Sequence, residues 1–362
     1  MNVRQPVVGV VLALLTCCCH GDGSAASYDG PTVYTAGYYN AGSVVPCYWK
    51  NGERTDLDAA GASGFATSLA FLSSGSPVVA GYFGKGGTDL PCYWKDAAKT
   101  DLPVPPNPSA AYALSIAAIG EVLYAAGFWS DRIGAHPVVW VVSGSQTTTL
   151  DLESGPGLGQ ALGIALIPGA DPASATAYVS GQWNGKPCYW KLLGATVQAR
   201  IDLDLAGLSG AKASAIATDG ATVFVAGQCE TSSGSSTSPF HACYWTSSGV
   251  GSSSFVLDAD EFGKANAIRV EKSTVYVAGL GPTGPAYWKI VSGGEPQRVD
   301  LGNTGEAYSL VLKDSTVYVS GSYYDDLRDA QVPCFWAGED RYTLPSDTGR
   351  ENDGLAMAIG VP

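Results

Sequence analysis

Few side chains in this sequence could carry acid–base or nucleophilic chemistry. It contains only three histidines, His20, His136 and His241, so a histidine-based metal cage or catalytic triad would need nearly all of them. No H-E-x-x-H or G-x-S-x-G pattern is present, and these are the usual marks of zinc peptidases and of serine hydrolases. We therefore expect neither a metal ion nor a cofactor.

One literal G-x-G-x-x-G pattern occurs at Gly279, Gly281 and Gly284. A dinucleotide site needs a helix to begin there, because the helix N-terminus holds the pyrophosphate. Here Pro285 and another strand-like segment follow at once. The pattern is therefore typical of a turn and does not predict a nucleotide site.

The side chains best suited to contact a ligand are aromatic and charged residues that follow short Gly-containing segments. Aromatic rings with polar tips give rigid contact area for sugars, peptides and proteins. The same positions would also suit packing between neighbouring sheets, and we keep that alternative open. We predict a protein or carbohydrate ligand at Tyr39, Phe83, Trp129, Asp131, Arg132, Trp183, Tyr324, Asp325 and Arg328.

An enzymatic alternative uses two of the same residues. Asp131 and Asp325 would act as acid and base in a glycan-active hydrolase or lyase. A glycosidase needs its two carboxylates about 5 to 10 Å apart in one cleft. We favour a non-catalytic binding or scaffolding module, because the sequence shows no catalytic constellation.

Cysteines recur before a Tyr-Trp or Phe-Trp pair in five places, and these are expected to be small buried residues. Cys229 differs because it precedes a long loop that leads to Cys243. In an exported protein such a pair could oxidise to a disulfide.

These residues must be positioned by a repeated unit, because two short phrases alternate along the chain. The first is a strand that ends in Gly, at Gly37, Gly81, Gly127, Gly181, Gly227, Gly279 and Gly321. The second ends in Trp, at Trp49, Trp94, Trp140, Trp190, Trp245, Trp288 and Trp336. The unit averages about 47 residues, within the range of four-stranded propeller blades.

Each unit predicts four strands: an Ala-rich strand, the Gly phrase, the Trp phrase and a short strand ending near Asp-Leu. We therefore predict an all-β fold, a seven-bladed β-propeller of four-stranded antiparallel blades. The Ala-rich strand should lie innermost, since blades taper toward the axis. The domain begins at a Gly phrase and finishes with a lone Ala-rich strand at residues 354–361, so pairing of the N- and C-terminal strands should close the ring.

The N-terminus predicts export. Residues 1–19 hold Arg4, an apolar run and three cysteines, which is typical of a signal peptide with a lipobox-like cluster. Either Cys17 or Cys18 would carry the lipid, with plain secretion as the alternative. Residues 20–31 are small and polar and predict a flexible tether, which leaves 32–362 for the propeller.

The charge excludes one class of partner. The net charge is -13, and nucleic-acid binding needs clustered Lys and Arg. We expect a monomer that contacts the membrane only through its N-terminal lipid.

The repeat also carries a family resemblance. VYVAG followed by PCYWK, a short turn and an Asp-Leu strand resembles the unit of a family of uncharacterised bacterial lipoproteins of the β-propeller type, over about residues 32 to 361. This resemblance implies a lipid-anchored propeller at the cell envelope. It carries over no catalytic or binding residue.

Overall fold

Seven four-stranded antiparallel sheets surround one axis, so the fold is a seven-bladed β-propeller. The structure is a computed structural model that describes residues 28–346 and 353–362, except 156, 206, 232–239, 249–250 and 259–261. The predicted cysteine cluster and most of the tether lie outside these residues. The one helical turn in the described part of the chain is η1 (Pro172–Ser174).

The strands are grouped into blades in chain order. Blade 1 consists of β1 (Tyr34–Asn40), β2 (Val44–Lys50), β3 (Glu53–Asp56) and β28 (Gly354–Gly360); blade 2 of β4 (Gly64–Phe71), β5 (Pro77–Lys85), β6 (Thr88–Lys95) and β7 (Ala98–Asp101); blade 3 of β8 (Ala110–Ile119), β9 (Val122–Ser130), β10 (Ala135–Ser143) and β11 (Gln146–Asp151); blade 4 of β12 (Gly159–Ile167), β13 (Thr176–Trp183), β14 (Lys186–Leu193) and β15 (Thr196–Asp202). Blade 5 consists of β16 (Leu208–Thr218), β17 (Val223–Thr231), β18 (Phe240–Ser247) and β19 (Ser252–Val256); blade 6 of β20 (Lys264–Glu271), β21 (Thr274–Leu280), β22 (Pro285–Val291) and β23 (Gln297–Asp300); blade 7 of β24 (Glu306–Lys313), β25 (Thr316–Asp325), β26 (Ala330–Ala337) and β27 (Asp340–Thr343).

The Ala-rich strands lie innermost, as the taper of a blade requires. Residues of β4, β8, β12, β16, β20, β24 and β28 line the cavities along the axis. Each Gly phrase is the second strand of its blade and each Trp phrase the third. The predicted order of the four signals within a unit is therefore confirmed.

The ring closes within blade 1. The C-terminal β28 pairs antiparallel with the N-terminal β1, with Tyr34 opposite Gly360 and Tyr39 opposite Gly354. The sheet order is β28-β1-β2-β3. Both ends of the domain are thereby fixed in one sheet, which confirms the predicted closure and pairs the inner edge of β1.

The seven repeated tryptophans join neighbouring blades. Each is at most 1 % exposed. Their indole N–H groups donate to the segment that leaves the preceding blade: Trp94 to the Asp58 carbonyl at 2.6 Å and Trp245 to the Asp204 carbonyl at 2.9 Å. Trp49 donates across the closure to the Pro345 carbonyl at 2.8 Å. Burial and a satisfied donor together make the indole suited to this place.

The Gly of each first phrase is required by a close approach of two backbones. Every inner strand carries a β-bulge opposite this Gly, between Ala213 and Ala215 in blade 5 for example. The bulge pushes a carbonyl oxygen toward the second strand. A Cβ built on Gly227 would lie 1.8 Å from the Lys212 carbonyl oxygen. No other residue fits there without moving the inner strand.

Candidate ligand-binding face

Two sets of loops emerge at one end of the propeller. Neighbouring strands in a blade run antiparallel, so the connections from second to third strand and from blade to blade share an end. We call this end the upper face. The predicted ligand contacts lie at the upper ends of the second strands or just beyond them, and therefore lie toward this face.

Two of the predicted contacts are buried, and the exposure that we expected for them is wrong. Tyr39 is 3 % exposed and Phe83 is 2 % exposed. The Arg54 guanidinium covers the Tyr39 ring at 4.0 Å, and the Lys99 ammonium covers the Phe83 ring at 3.3 Å. Both rings therefore pack inside the blade stack beneath cations of the outermost strands, where a ligand does not reach them.

Trp129 and Asp131 belong to one small cluster in the β9–β10 hairpin. The Trp129 ring stacks on His136 with 3.9 Å between ring centroids, and His136 Nε2 lies 3.3 Å from Asp131 Oδ1. The same oxygen accepts the backbone N–H groups of Ile133 and Gly134 at 2.7 and 2.9 Å. These hydrogen bonds hold the pKa of Asp131 below its usual value, so its carboxylate closes the loop and stays ionised. Arg132 is exposed beside this cluster.

Asp325 plays a similar part in the β25–β26 hairpin. Its Oδ1 accepts the backbone N–H of Leu327 at 3.0 Å, and its Oδ2 lies 3.1 Å from Arg328 Nη1. The neighbouring Tyr324 hydroxyl donates to the Asp329 carboxylate. Trp183, in the corresponding hairpin of blade 4, is half-buried against the core between blades 3 and 4.

The two aspartates of the enzymatic alternative are not brought together. Asp131 lies in blade 3 and Asp325 in blade 7, with blades 1 and 2 between them on the shorter path around the ring. Each carboxylate is engaged by its own hairpin. Nothing in this arrangement favours paired acid–base catalysis by these residues.

Cys229 and Cys243 are both buried and both free thiols. They stand diagonally across the β17–β18 hairpin, since Cys229 faces His241 and Cys243 faces Gly227. Burial raises the pKa of the Cys243 thiol, and a hydrogen bond from that thiol lowers the pKa of Cys229. Formation of a disulfide between them stays a prediction.

A continuous row of aromatic rings on the upper side was missed by the sequence reasoning. In every blade an Ala of the inner strand pairs with the repeated Gly of the second strand, as Ala66 does with Gly81, and we call these the Ala–Gly pairs. The row lies one residue closer to the upper face than these pairs. Neighbouring ring centroids are 4.8 to 5.0 Å apart from one ring to the next. We call this row the aromatic arc; its members are Tyr38, Phe65, Tyr82, Tyr112 and Phe128.

The aromatic arc is partly exposed and crosses blades 1 to 3. Burial, followed by the Asp89 carboxylate, raises the pKa of Tyr82 to about 12. The pKa of Tyr38 is also raised, first by burial and then by Asp353. Tyr112 donates its hydroxyl to Asp89 at 3.1 Å. At neutral pH these phenols are protonated, so the arc combines apolar ring faces with hydroxyl groups.

The same ring of positions is mostly polar in blades 4 to 7. Gln182 donates to Gln160 at 3.4 Å, and Lys264 lies 3.8 Å from the Glu306 carboxylate. Burial, followed by the nearby charge of Lys264, lowers the pKa of Lys212. We call this side the polar arc; its members are Gln160, Gln182, Lys212, Gln228, Lys264 and Glu306. Leu280, Ser322 and Leu355 complete the ring.

The signal for the aromatic arc was present in the sequence but needed the strand register. Tyr38, Tyr82 and Phe128 directly follow the repeated Gly, whereas the predicted contacts were taken mainly one position later. Side chains alternate along a strand, so one step changes the side to which a ring points. Phe65 and Tyr112 join the arc through cross-strand pairing with Tyr82 and Phe128.

The described residues contain no group of three or more His, Cys, Asp or Glu side chains placed to hold a metal ion. In the same part of the chain no helix has both the length and the apolar character needed to cross a bilayer.

Comparisons with known proteins agree on the architecture. No protein-family model matches the sequence, and no curated protein matches it either. A solved protein from Lactobacillus plantarum is similar over 91 % of this chain and 98 % of its own, with a TM-score of 0.53 and 15 % identity. The β-propeller domain of the Trilobed protease from Pyrococcus furiosus, which has an open velcro topology, is similar over 89 % and 97 %, with a TM-score of 0.50 and 8 % identity. At these identities the likeness establishes the propeller fold and nothing finer.

Proposed function

We propose that this protein is a non-catalytic binding module displayed at the bacterial cell envelope, and that it takes a carbohydrate on the upper face of the propeller. A protein ligand is the alternative outcome. The aromatic arc is the observation that carries the proposal.

The arc matches the surface of a sugar in two respects. Its rings offer flat apolar faces against which the C–H face of a sugar can pack. Its phenols at Tyr38 and Tyr82 are protonated at neutral pH and have raised pKa values, so their hydroxyls can donate to sugar oxygens. Rigid aromatic rings also lose little conformational entropy when they bind.

The scaffold supports binding better than catalysis. The carboxylates of Asp131 and Asp325 each close a hairpin and lie in separate blades. A propeller with rigid strands can change its loops and rim at little cost in stability. This division suits a module that presents a surface to a ligand.

The proposal places the domain outside the cytoplasm, held by lipid on Cys17 or Cys18. The apolar run before these cysteines is too short to span a bilayer, so stable retention would depend on acyl chains. Mass spectrometry of the native N-terminus tests this part. Lipid mass on either cysteine is expected, and an unmodified Met1 would contradict export.

The binding proposal is tested by screening the full chain on a carbohydrate array and against envelope proteins, followed by calorimetry with any hit. Tyr82→Ala and Tyr112→Ala each remove one ring of the arc. We expect each to weaken binding of the hit by about tenfold or more, as loss of an aromatic anchor does.

Phe255→Ala is the matched control, because Phe255 is a 40 % exposed aromatic residue on β19, an outermost strand. It should leave the affinity unchanged. Equal affinity in the Tyr82 and Tyr112 variants would place the ligand elsewhere, and a hit among proteins alone would select the other ligand class.

A further inference from the structure

The channel along the propeller axis carries one charged side chain at a level where every other blade has a small one. The seven inner strands contribute one residue each at the same register position. Those residues are Ala70, Ala117, Ala165, Ala217, Arg269, Val311 and Gly360, which pair with Val78, Tyr124, Tyr178, Phe224, Tyr276, Tyr318 and Tyr34. Arg269 therefore projects into space that the other six blades leave open.

Arg269 lines two cavities on the axis. The first has a volume of about 140 Å³ and the second about 440 Å³. Hydroxyl and amide groups line the smaller one, from Ser115, Ser214, Asn266 and Tyr308 among others. The larger cavity is lined mainly by apolar side chains. Arg269 thus stands where a polar chamber meets an apolar one.

No carboxylate of the residues that the structure describes neutralises this guanidinium. Among the described residues its one hydrogen bond runs from Nη1 to the Ile268 carbonyl at 2.9 Å, and it takes part in none of the ion pairs. None of the described residues that line the two cavities is acidic. A guanidinium has five N–H donors and keeps its charge at any physiological pH.

Arg269 is exposed to the open channel, and the inner strands around it lower its pKa through desolvation. Its guanidinium therefore stays charged and accessible, and its remaining N–H groups can bind an anion that enters the channel.

We propose that Arg269 forms an anion site in the central channel that binds the carboxylate of a small organic acid. One guanidinium matches one carboxylate through two parallel hydrogen bonds. A dianion such as phosphate would carry a second negative charge, and Arg269 is the one cation among the described residues that line these cavities. A cavity of about 150 Å³ accepts a benzene-sized molecule, so the smaller chamber fits an acid of a few carbon atoms. Leu114, Leu162 and Met357, which also line this chamber, meet its hydrocarbon part.

This site is separate from the aromatic arc, and its test does not depend on the proposed function. The full chain is titrated with propionate by calorimetry, with chloride and phosphate compared at equal ionic strength. We expect saturable binding of one propionate per chain and a melting temperature that rises with its concentration.

Arg269→Ala gives blade 6 the residue that four other blades carry at this level, so the variant should fold. It should weaken propionate binding by about tenfold or more, which corresponds to about 1.4 kcal/mol or more. Arg269→Lys keeps the charge without the paired donors and should be intermediate. Lys186→Ala removes an exposed cation on β14 and should change nothing.

Three results would overturn the proposal: no saturable binding of any of the three anions, unchanged propionate binding in Arg269→Ala, or chloride or phosphate binding as tightly as propionate. If Arg269→Ala fails to fold, unchanged binding in Arg269→Lys and in Arg269→Met would overturn it equally.

Discussion

The two sides of the upper ring use the same backbone positions for opposite chemistry. In blades 1 to 3 the aromatic arc fills them, and in blades 4 to 7 the polar arc does. The tryptophans, the Ala–Gly pairs and the bulges beneath are alike on both sides. The repeat therefore preserves what holds blades together, while the positions one step above it are free to vary with function.

Both arcs depend on a closed ring of blades. Removing the strand that closes the ring should therefore have the largest effect on stability. A chain that ends at Asn352 lacks β28 and exposes the inner edge of β1. The loss should approach the whole stability of a typical domain, about 5 to 15 kcal/mol, and size-exclusion chromatography should show aggregation without a cooperative melting transition.

Deleting only Pro362 is the control for this truncation, because that residue is exposed beyond the strand. It should melt nearly as the full chain does. A monomeric truncated chain with an unchanged melting temperature would contradict closure through β28.

The tryptophans test whether both sides share one scaffold. Trp94→Ala in blade 2 and Trp245→Ala in blade 5 should each lower the free energy of unfolding by about 3 to 5 kcal/mol, the usual cost of a large aromatic truncation. Chemical denaturation measures both. Trp183→Ala, at a half-buried tryptophan outside the repeat, should cost less. Very unequal losses for Trp94 and Trp245 would show that the two sides are held differently.

The repeated glycines also test whether both sides share one scaffold, through a smaller loss of unfolding free energy. A Cβ on Gly127 or Gly227 would stand 1.9 or 1.8 Å from a carbonyl oxygen of the inner strand. Each Gly→Ala change should cost about 1 to 3 kcal/mol through the backbone shift that it forces. Gly251→Ala, where nothing lies within 4 Å, should be neutral in the same denaturation experiment. A neutral Gly227→Ala would mean that the bulge is not what selects glycine.

The smallest expected effect is a difference between the aromatic arc and the polar arc in how stability depends on pH. The pKa of Tyr82 is raised from 10.0 to about 12 by burial and by Asp89. Stability from this protonated phenol is complete below pH 10 and is lost as the pH rises toward 12, because the unfolded chain ionises first.

The melting temperature of Tyr82→Phe should therefore fall less than that of the unaltered chain between pH 10 and 12. Below pH 10 the two melting temperatures should differ by a constant amount. Gln182→Ala, at the corresponding position of blade 4, should run parallel to the parent throughout. Parallel curves for Tyr82→Phe would contradict the raised pKa.

The sequence predicted the blades well because each structural role recurs. The Gly and Trp phrases marked the second and third strands, and the complementary ends at Thr32 and at residues 354–361 predicted closure. The orientation of single side chains was harder. Tyr39 and Phe83 follow the aromatic arc by one residue, and that step moved them from the rim into the stack.

The β-bulges explain why the sequence did not single out Arg269 in the channel. Each adds one residue to an inner strand, so the alternation of side chains changes parity beside the Ala–Gly pair. Arg269 stands out only when seven strands are aligned across their bulges. Neither its isolation from acids nor its place between two cavities can be read from strand patterns.

The position of β1 between β28 and β2 has a mechanical consequence. Tension applied at the N-terminus enters the propeller through β1, which is hydrogen-bonded along both of its sides. Such a pull loads two ladders in shear at once, so many bonds must break together before the strand slides. A strand at an outer edge would instead peel away bond by bond at a much lower force. The C-terminal strand thus acts as a lock on the segment by which the domain would be tethered.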